Sequence, residues 1–284
     1  MSLEVKPVDA TLGATITGVR IGAMSDADWR AVEDAFHTHA LLILPGQHPS
    51  EEEQVAFGRR FGEIEVLYAG HDLISISNIR TDGTLMEPKE HRMEVMRGNE
   101  GWHTDSSYMA LASKASCLSA HVVPKSGGQT EWADMRSAWD ALDEVTRKRI
   151  EGLSARHSLR HSQAKIGHEG KTGASYGFHE DEPPLRPLVK RHPVTGRSAL
   201  YIGRHAYGIP GLSEADSEKL LDDLLDFACQ RPRTWQHEWL PGDVVIWDNR
   251  AVLHRARPYD HREPRLMKHV RIAGDPATEM ALAS

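Results

Sequence analysis

Residues 116–132, SCLSAHVVPKSGGQTEW, decide the class of fold. The first eight alternate apolar and polar side chains, the period of a strand with one face buried. Pro124 to Gly128 supply turn chemistry, and Thr130-Glu131-Trp132 resumes a strand. A strand, a tight turn and a second strand belong to an antiparallel architecture rather than to a parallel sheet crossed by helices.

Working outward, strand patterns recur at 14–21, 41–44, 74–79, 198–203, 233–239, 243–248 and 265–273. Helices are expected from Ser25 as a cap, with Trp29, Val32 and Phe36 inward, and from Ser50, with Val55, Phe57 and Phe61 inward. Residues 135–152 read as one or two helices with Trp139, Leu142, Val145 and Ile150 inward, and residues 213–229 as an amphipathic helix. Residues 80–100 are polar and read as a loop. Residues 163–187, rich in Gly, Glu, His and Pro, read as a long loop of the kind that forms lids. With no G-x-G-x-x-G after a first strand and no regular strand–helix alternation, a doubly wound sheet is disfavoured. The expectation is one mainly β domain over 1–284, a barrel or jelly roll with flanking helices.

The chain of 284 residues carries a formal net charge of −7, with 39% hydrophobic and 26% charged residues. Mild acidity argues against a nucleic-acid partner. It leaves room for a small anionic organic substrate held by a few buried cations. No apolar run approaches the roughly 18 residues of a membrane span, and no signal peptide is read at the N-terminus. Cys117 and Cys229 lie outside any C-x-x-C motif and suit free thiols in a reducing cytoplasm. Homo-oligomerisation is left open. The 17 histidines justify a search for metal chemistry.

Residues 101–108 read GWHTDSSY. On an extended chain His103 and Asp105, two apart, project from one face. An imidazole and a carboxylate together are two thirds of a facial triad for non-haem Fe(II). His254, following Trp247-Asp248-Asn249-Arg250, is the candidate third ligand, at the end of an apolar strand. Three ligands on one side leave positions for a chelating 2-oxo acid and O2. Arg265, eleven residues past His254 across a turn, is expected on the strand beside it, where its fork suits the distal carboxylate of 2-oxoglutarate. The Thr130 hydroxyl is a second donor for that carboxylate. On the last strand Arg265, Met267, His269 and Arg271 share a face, so His269 or Arg271 could meet an anionic substrate or pair with an acidic neighbour. Each feature alone also has a plainer reading, as surface polar residues of strands.

Taken in order, Trp102-His103-Thr104-Asp105, Gly127-Gly128-Gln129-Thr130, Trp247-Asp248-Asn249-Arg250, His254 and Arg265 resemble the taurine dioxygenase / 2,4-dichlorophenoxyacetate dioxygenase family, over nearly the whole chain. Residues 124–142, 200–206 and 253–260 look most like its aryloxyalkanoate branch, similar to the enzymes acting on (S)-2-aryloxypropionates. The resemblance implies a double-stranded β-helix (jelly roll, cupin-like), Fe(II) on His103, Asp105 and His254, and 2-oxoglutarate on Thr130 and Arg265. Asn99 matches a substrate-contacting residue of the family. His269 stands where the sulfonate-binding member has Arg, which disfavours taurine. His205 and the 163–187 segment are further candidate substrate contacts, beside the plainer reading of a core histidine and a surface loop. The implied reaction hydroxylates the carbon next to an ether oxygen, yielding a phenol and a 2-oxo acid with succinate and CO2. The rivals are the same chemistry on an alkylsulfonate or alkyl sulfate ester, a zinc hydrolase, and a non-enzymatic ligand-binding jelly roll.

Overall fold

A computed structural model describes residues 2–68, 70–173 and 176–283. Its centre is the strand Val244–Asp248, five consecutive buried residues. A strand buried on both faces reads as a continuous apolar run. It lies in a seven-stranded sheet, ordered Glu4–Pro7, Ala14–Thr17, Leu41–Leu44, Val244–Asp248, Ser113–Val122, Leu266–Ala273, Ile74–Ser77.

The outer face of this sheet is covered by the helices Asp26–His39 and Glu51–Phe61. Val32, Phe36, Phe57 and Phe61 meet Leu42, Leu44, Cys117, Val244 and Ile246 there. Ser25 and Ser50 cap the two helices, the latter in a full capping box with Glu53, as expected. The inner face presents Leu118, Ala120, Val245, Trp247 and Met267 to Trp132 and Val252, which come from a second, three-stranded sheet. That sheet is ordered Thr234–His237, Thr130–Asp134, Val252–Ala256.

The 116–132 segment therefore spans both layers. Its first strand pairs in the large sheet and its second in the small one, and the turn carries the chain across. A third apolar cluster lies beyond the small sheet, where the helices Met135–Ala141 and Glu214–Ala228 pack on Leu188, Ala199 and Leu200.

Four expectations change. Residues 80–100 are not all loop: His91–Arg97 is a helix continued by a 3-10 turn over Gly98–Glu100. The helix buries only Met93 fully, so no apolar stripe announced it. Val145 faces solvent at 78% exposure, because residues 135–152 break into two short helices at Leu142-Asp143. His254 does not end the strand that contains Trp247; a turn intervenes and His254 is the middle of Val252–Ala256. Arg265 is not on a strand beside His254: it precedes Leu266–Ala273 in the large sheet, whereas His254 belongs to the small one. The 163–187 segment is bounded by the helix Leu159–Ala164 and the strand Leu185–Pro187, and residues 174–175 of it lie outside the described residues.

Candidate active site

Two antiparallel backbone hydrogen bonds join His103 to His254 (2.9 and 2.8 Å), an isolated bridge that fixes one residue opposite the other. Their rings stand 4.1 Å apart, centre to centre. His103 Nδ1 lies 2.8 Å from the Gly101 carbonyl, which only accepts. Nδ1 therefore carries the proton and Nε2 keeps its lone pair. Burial, then the neighbouring His254, drives the His103 pKa well below its ordinary value. Burial lowers His254 to about 4 against the pull of Asp105.

Asp105 joins them. Its Oδ2 accepts from Ser116 Oγ at 2.6 Å and lies 3.7 Å from His254 Nε2, and its Oδ1 pairs with Arg271 at 2.9 Å. Burial would raise this carboxyl's pKa, but Arg271 and the surrounding histidines hold it far below the ordinary range. One ligand atom each from His103, Asp105 and His254 falls within a 4.8 Å span. Two neutral imidazole nitrogens and an ionised carboxylate oxygen, with a cavity in front of them, are a donor set that fits a divalent cation on one face.

A second cluster of the same span, His37, His192 and Asp248, does not fit one. His192 Nδ1 accepts from the Val194 and Thr195 amides, so its Nε2 must donate to Asp248 (2.9 Å). Asp248 is otherwise filled by Arg250, through its amide, Nε and Nη2. Only His37, whose Nδ1 is unpartnered, keeps a lone pair, and one donor does not make a metal site.

The cavity before His103 and Asp105 has a volume of about 740 Å³. Asn99, His205 and Arg271 line it, as does Arg204, which sequence reasoning missed. Arg204 donates to the Ser162 carbonyl at 2.7 Å and has no carboxylate partner among the described residues; its partial burial lowers its pKa to about 10. The usable signal was Arg204-His205 directly after the apolar run Ala199–Ile202, where a cation is costly unless something pairs with it. His205 Nδ1 donates to Ser162 Oγ (2.8 Å), because that hydroxyl already donates to the Leu159 carbonyl (2.9 Å). The free His205 Nε2 is thus an acceptor. Arg271 commits its charge to Asp105. His269 does not line the cavity: it is buried, stacked on Trp247, 3.7 Å from Asp105 Oδ2, with neither ring nitrogen partnered.

Arg265 sits apart at the neighbouring small pocket, which it shares with Asn99 and Tyr259. Its guanidinium is buried, reaching only the Gly128 carbonyl (3.2 Å) and leaving Nε unpartnered; burial lowers its pKa to about 10. Gly128 makes room for it: φ is +70°, and a Cβ there would lie 3.2 Å from Arg265 Nε. Asn78, also missed from the sequence, fixes the backbone that delivers Arg265. Its Oδ1 accepts the Arg265 amide (2.8 Å) while Nδ2 donates to the His261 and Glu263 carbonyls. Thr130 Oγ accepts from Trp239 Nε1 (3.0 Å), so its own proton stays available. A buried, uncompensated guanidinium and a free hydroxyl proton fit the carboxylate of a bound acid.

Among the described residues no helix is long and apolar enough to cross a membrane. The chain is 51% identical to the (S)-phenoxypropionate/alpha-ketoglutarate-dioxygenase of Sphingobium herbicidovorans, over 99% of each protein. It is 38% identical to the alpha-ketoglutarate-dependent 2,4-dichlorophenoxyacetate dioxygenase of a Burkholderia species, covering 89% of this chain and 88% of that one. Among solved structures, AAD-2 in complex with Mn(II) and N-oxalylglycine superposes with a TM-score of 0.91 at 35% identity, covering 100% of both chains. Residues 4–271 match the family described as taurine catabolism dioxygenase TauD, TfdA. The chain belongs to that family of 2-oxoglutarate-dependent dioxygenases.

Proposed function

We propose that this dioxygenase hydroxylates the carbon next to the ether oxygen of an aryloxyalkanoate, cleaving it to a phenol and a 2-oxo acid. The observation that carries the reading is the His103–Asp105–His254 cluster at a cavity whose wall holds a half-buried guanidinium, Arg204, with no carboxylate partner among the described residues. Relatives at 51% and 38% identity named for phenoxypropionate and 2,4-dichlorophenoxyacetate support the substrate class. The two facing sheets and the strand pair that crosses between them support a double-stranded β-helix (jelly roll), read here as one domain over 1–284.

His103, Asp105 and His254 would hold Fe(II), which when bound supplies the oxygen-activating chemistry. Gly101 and Ser116 orient two of these ligands, and Arg271 keeps Asp105 ionised. Arg265 and the Thr130 hydroxyl bind the distal carboxylate of 2-oxoglutarate. Arg204 takes the substrate carboxylate and Asn99 borders both anion sites. Leu73, Ile74, Val95, Met96, Tyr108 and Tyr176 give the aryl ring an apolar wall that excludes water. Tyr176 belongs to the 163–187 segment and bonds to Glu65, which supports that segment as a cover of the cavity. The balance is substrate, 2-oxoglutarate and O2 converted to phenol, 2-oxo acid, succinate and CO2. The hydroxylated carbon bears the aryloxy group, so loss of the hydroxyl proton and departure of the aryloxide leave a carbonyl.

The test is a panel of an aryloxyacetate, both aryloxypropionate enantiomers, taurine and an alkyl sulfate, scored for succinate. The reading expects phenol and succinate in equal amounts from an aryloxyalkanoate. Sulfite from taurine as the fastest reaction would move the substrate to the sulfonates.

A further inference from the structure

Within the Trp247-Asp248-Asn249-Arg250 motif, only Asp248 and Arg250 close on each other to brace the turn between the two sheets. Asn249, 1% exposed, sends its carboxamide to the residues around Asp105. All four hydrogen-bonding positions of that carboxamide are filled. Trp247 Nε1, which can only donate, lies 3.0 Å from Oδ1 and so decides which end of the amide is oxygen. The Asp105 amide reaches the same oxygen at 3.4 Å. Nδ2 is the donor end, 3.3 Å from Ser113 Oγ and 3.0 Å from Ser116 Oγ. Ser113 gives its own proton to the Ile272 or Ala115 carbonyl and accepts here. Ser116 also accepts, and its proton goes to Asp105 Oδ2 at 2.6 Å. Polarity therefore runs one way, from Trp247 through Asn249 and Ser116 to the carboxylate.

The same unit reaches a second member of the cluster. Trp247 packs on the His254 ring, 4.7 Å between centres. Thr104 Oγ donates to the Asn249 carbonyl at 2.8 Å, so the segment that carries both His103 and Asp105 is tied to the turn that precedes His254. The restraint falls where the backbone needs it. Ser106, next after Asp105, sits at φ +53°, in the left-handed region that a residue with a Cβ adopts only when its surroundings hold it there.

We propose that Asn249 is a positioning residue of the metal centre. It holds the Ser116 hydroxyl with its proton on Asp105 and pins the Asp105 amide, so that the carboxylate is preorganised to present a lone pair beside His103 and His254. The inference rests on the reading of His103, Asp105 and His254 as metal ligands. Asn249 lines neither the catalytic cavity nor the small pocket of Arg265, so it acts through Ser116 and the Asp105 backbone. A residue that merely packed here would leave the contribution of Ser116 independent of it. A residue that directs the Ser116 proton makes that contribution conditional on its own donor.

The experiment is a double-mutant cycle on Mn(II) affinity in the full chain with N-oxalylglycine present, read from the loss of the free Mn(II) EPR signal. Ser116→Ala should weaken Mn(II) roughly tenfold. Asn249→Asp keeps the shape and the bond to Trp247 but puts an acceptor where the donor was, drawing the Ser116 proton off Asp105. It should weaken Mn(II) by a similar factor, although an added carboxylate would by charge alone tighten a cation. In that background Ser116→Ala should change the affinity by less than about twofold. Should Asn249→Asp not fold, Trp247→Phe keeps an aromatic ring against His254 and removes the donor that orients the carboxamide. The same cycle on it should show a loss of roughly threefold, again non-additive with Ser116→Ala. Additive losses, or an unchanged or tightened Mn(II) affinity in Asn249→Asp, would overturn the proposal. Asp105→Ala tests the reading beneath it separately: undiminished Mn(II) affinity there would reject the ligand assignment itself, whatever the cycle shows.

Discussion

Arg265 is buried and Arg204 half-buried, both without a carboxylate among the described residues, and a guanidinium in that state is costly until an anion arrives. Because they sit at different ends of the site, their losses should separate. Arg265→Ala should raise the KM for 2-oxoglutarate by at least about tenfold and leave the aryloxypropionate KM nearly unchanged; Arg204→Leu should do the reverse. Steady-state kinetics with each substrate varied in turn decides this. Equal effects of both variants on both constants would reject the division. Arg271 behaves differently, since its charge is spent on Asp105. The sequence marked His103, Asp105, His254, Thr130 and Arg265 through residue chemistry and order along the chain. It could not distinguish Arg204 from an ordinary cation, nor tell that His269 turns to the buried side of Asp105, because both depend on packing between segments distant in sequence.

At the scale of elements, the segments around 116–132 were legible as strands through the turn chemistry between them, but not the expected single buried face: Ser116 to Ala120 are all buried, because helices cover one side of the sheet and the small sheet the other. The helix His91–Arg97 was not legible, since it buries one side chain fully and so carries no apolar stripe. The sheet membership of Arg265 was equally hidden. A turn between two strands reads alike whether it joins neighbours or crosses layers, and here the choice is made partly by Asn78, which satisfies three backbone groups of the 261–265 turn. Asn78→Ala should orphan those groups and let Arg265 drift. We expect weaker N-oxalylglycine binding, by about tenfold, in calorimetry, with Mn(II) affinity unchanged. Equal binding of the inhibitor by both proteins would remove Asn78 from the account.

The whole molecule carries an unusual electrostatic load in its histidines. His103, His157, His205, His254 and His269 are all buried with lowered pKa values, to about 3 for His157 and about 4 for His254 and His269, burial being the first cause in each. The unfolded chain takes up these protons near pH 6.5, and the folded one only near its lower values. Stability contributed by the neutral rings is therefore full above about pH 6.5 and lost as pH falls from there towards 4. At pH 5 the cost is on the order of 2 kcal/mol for each fully shifted histidine. The metal-free protein should lose at least ~10 °C of Tm between pH 7.5 and 5. A Tm flat over that interval would mean that these rings are not buried as neutral groups.

On the proposed reading, His103, Asp105 and His254 together couple 2-oxoglutarate consumption to ether cleavage. Its most direct measurement is the ratio of succinate to phenol released from an aryloxypropionate with Fe(II) and O2, in the wild type and in Asp105→Ala. One succinate per phenol in the wild type, and neither product from the variant, is the predicted result. Phenol formed without succinate, or undiminished turnover by Asp105→Ala, would contradict it.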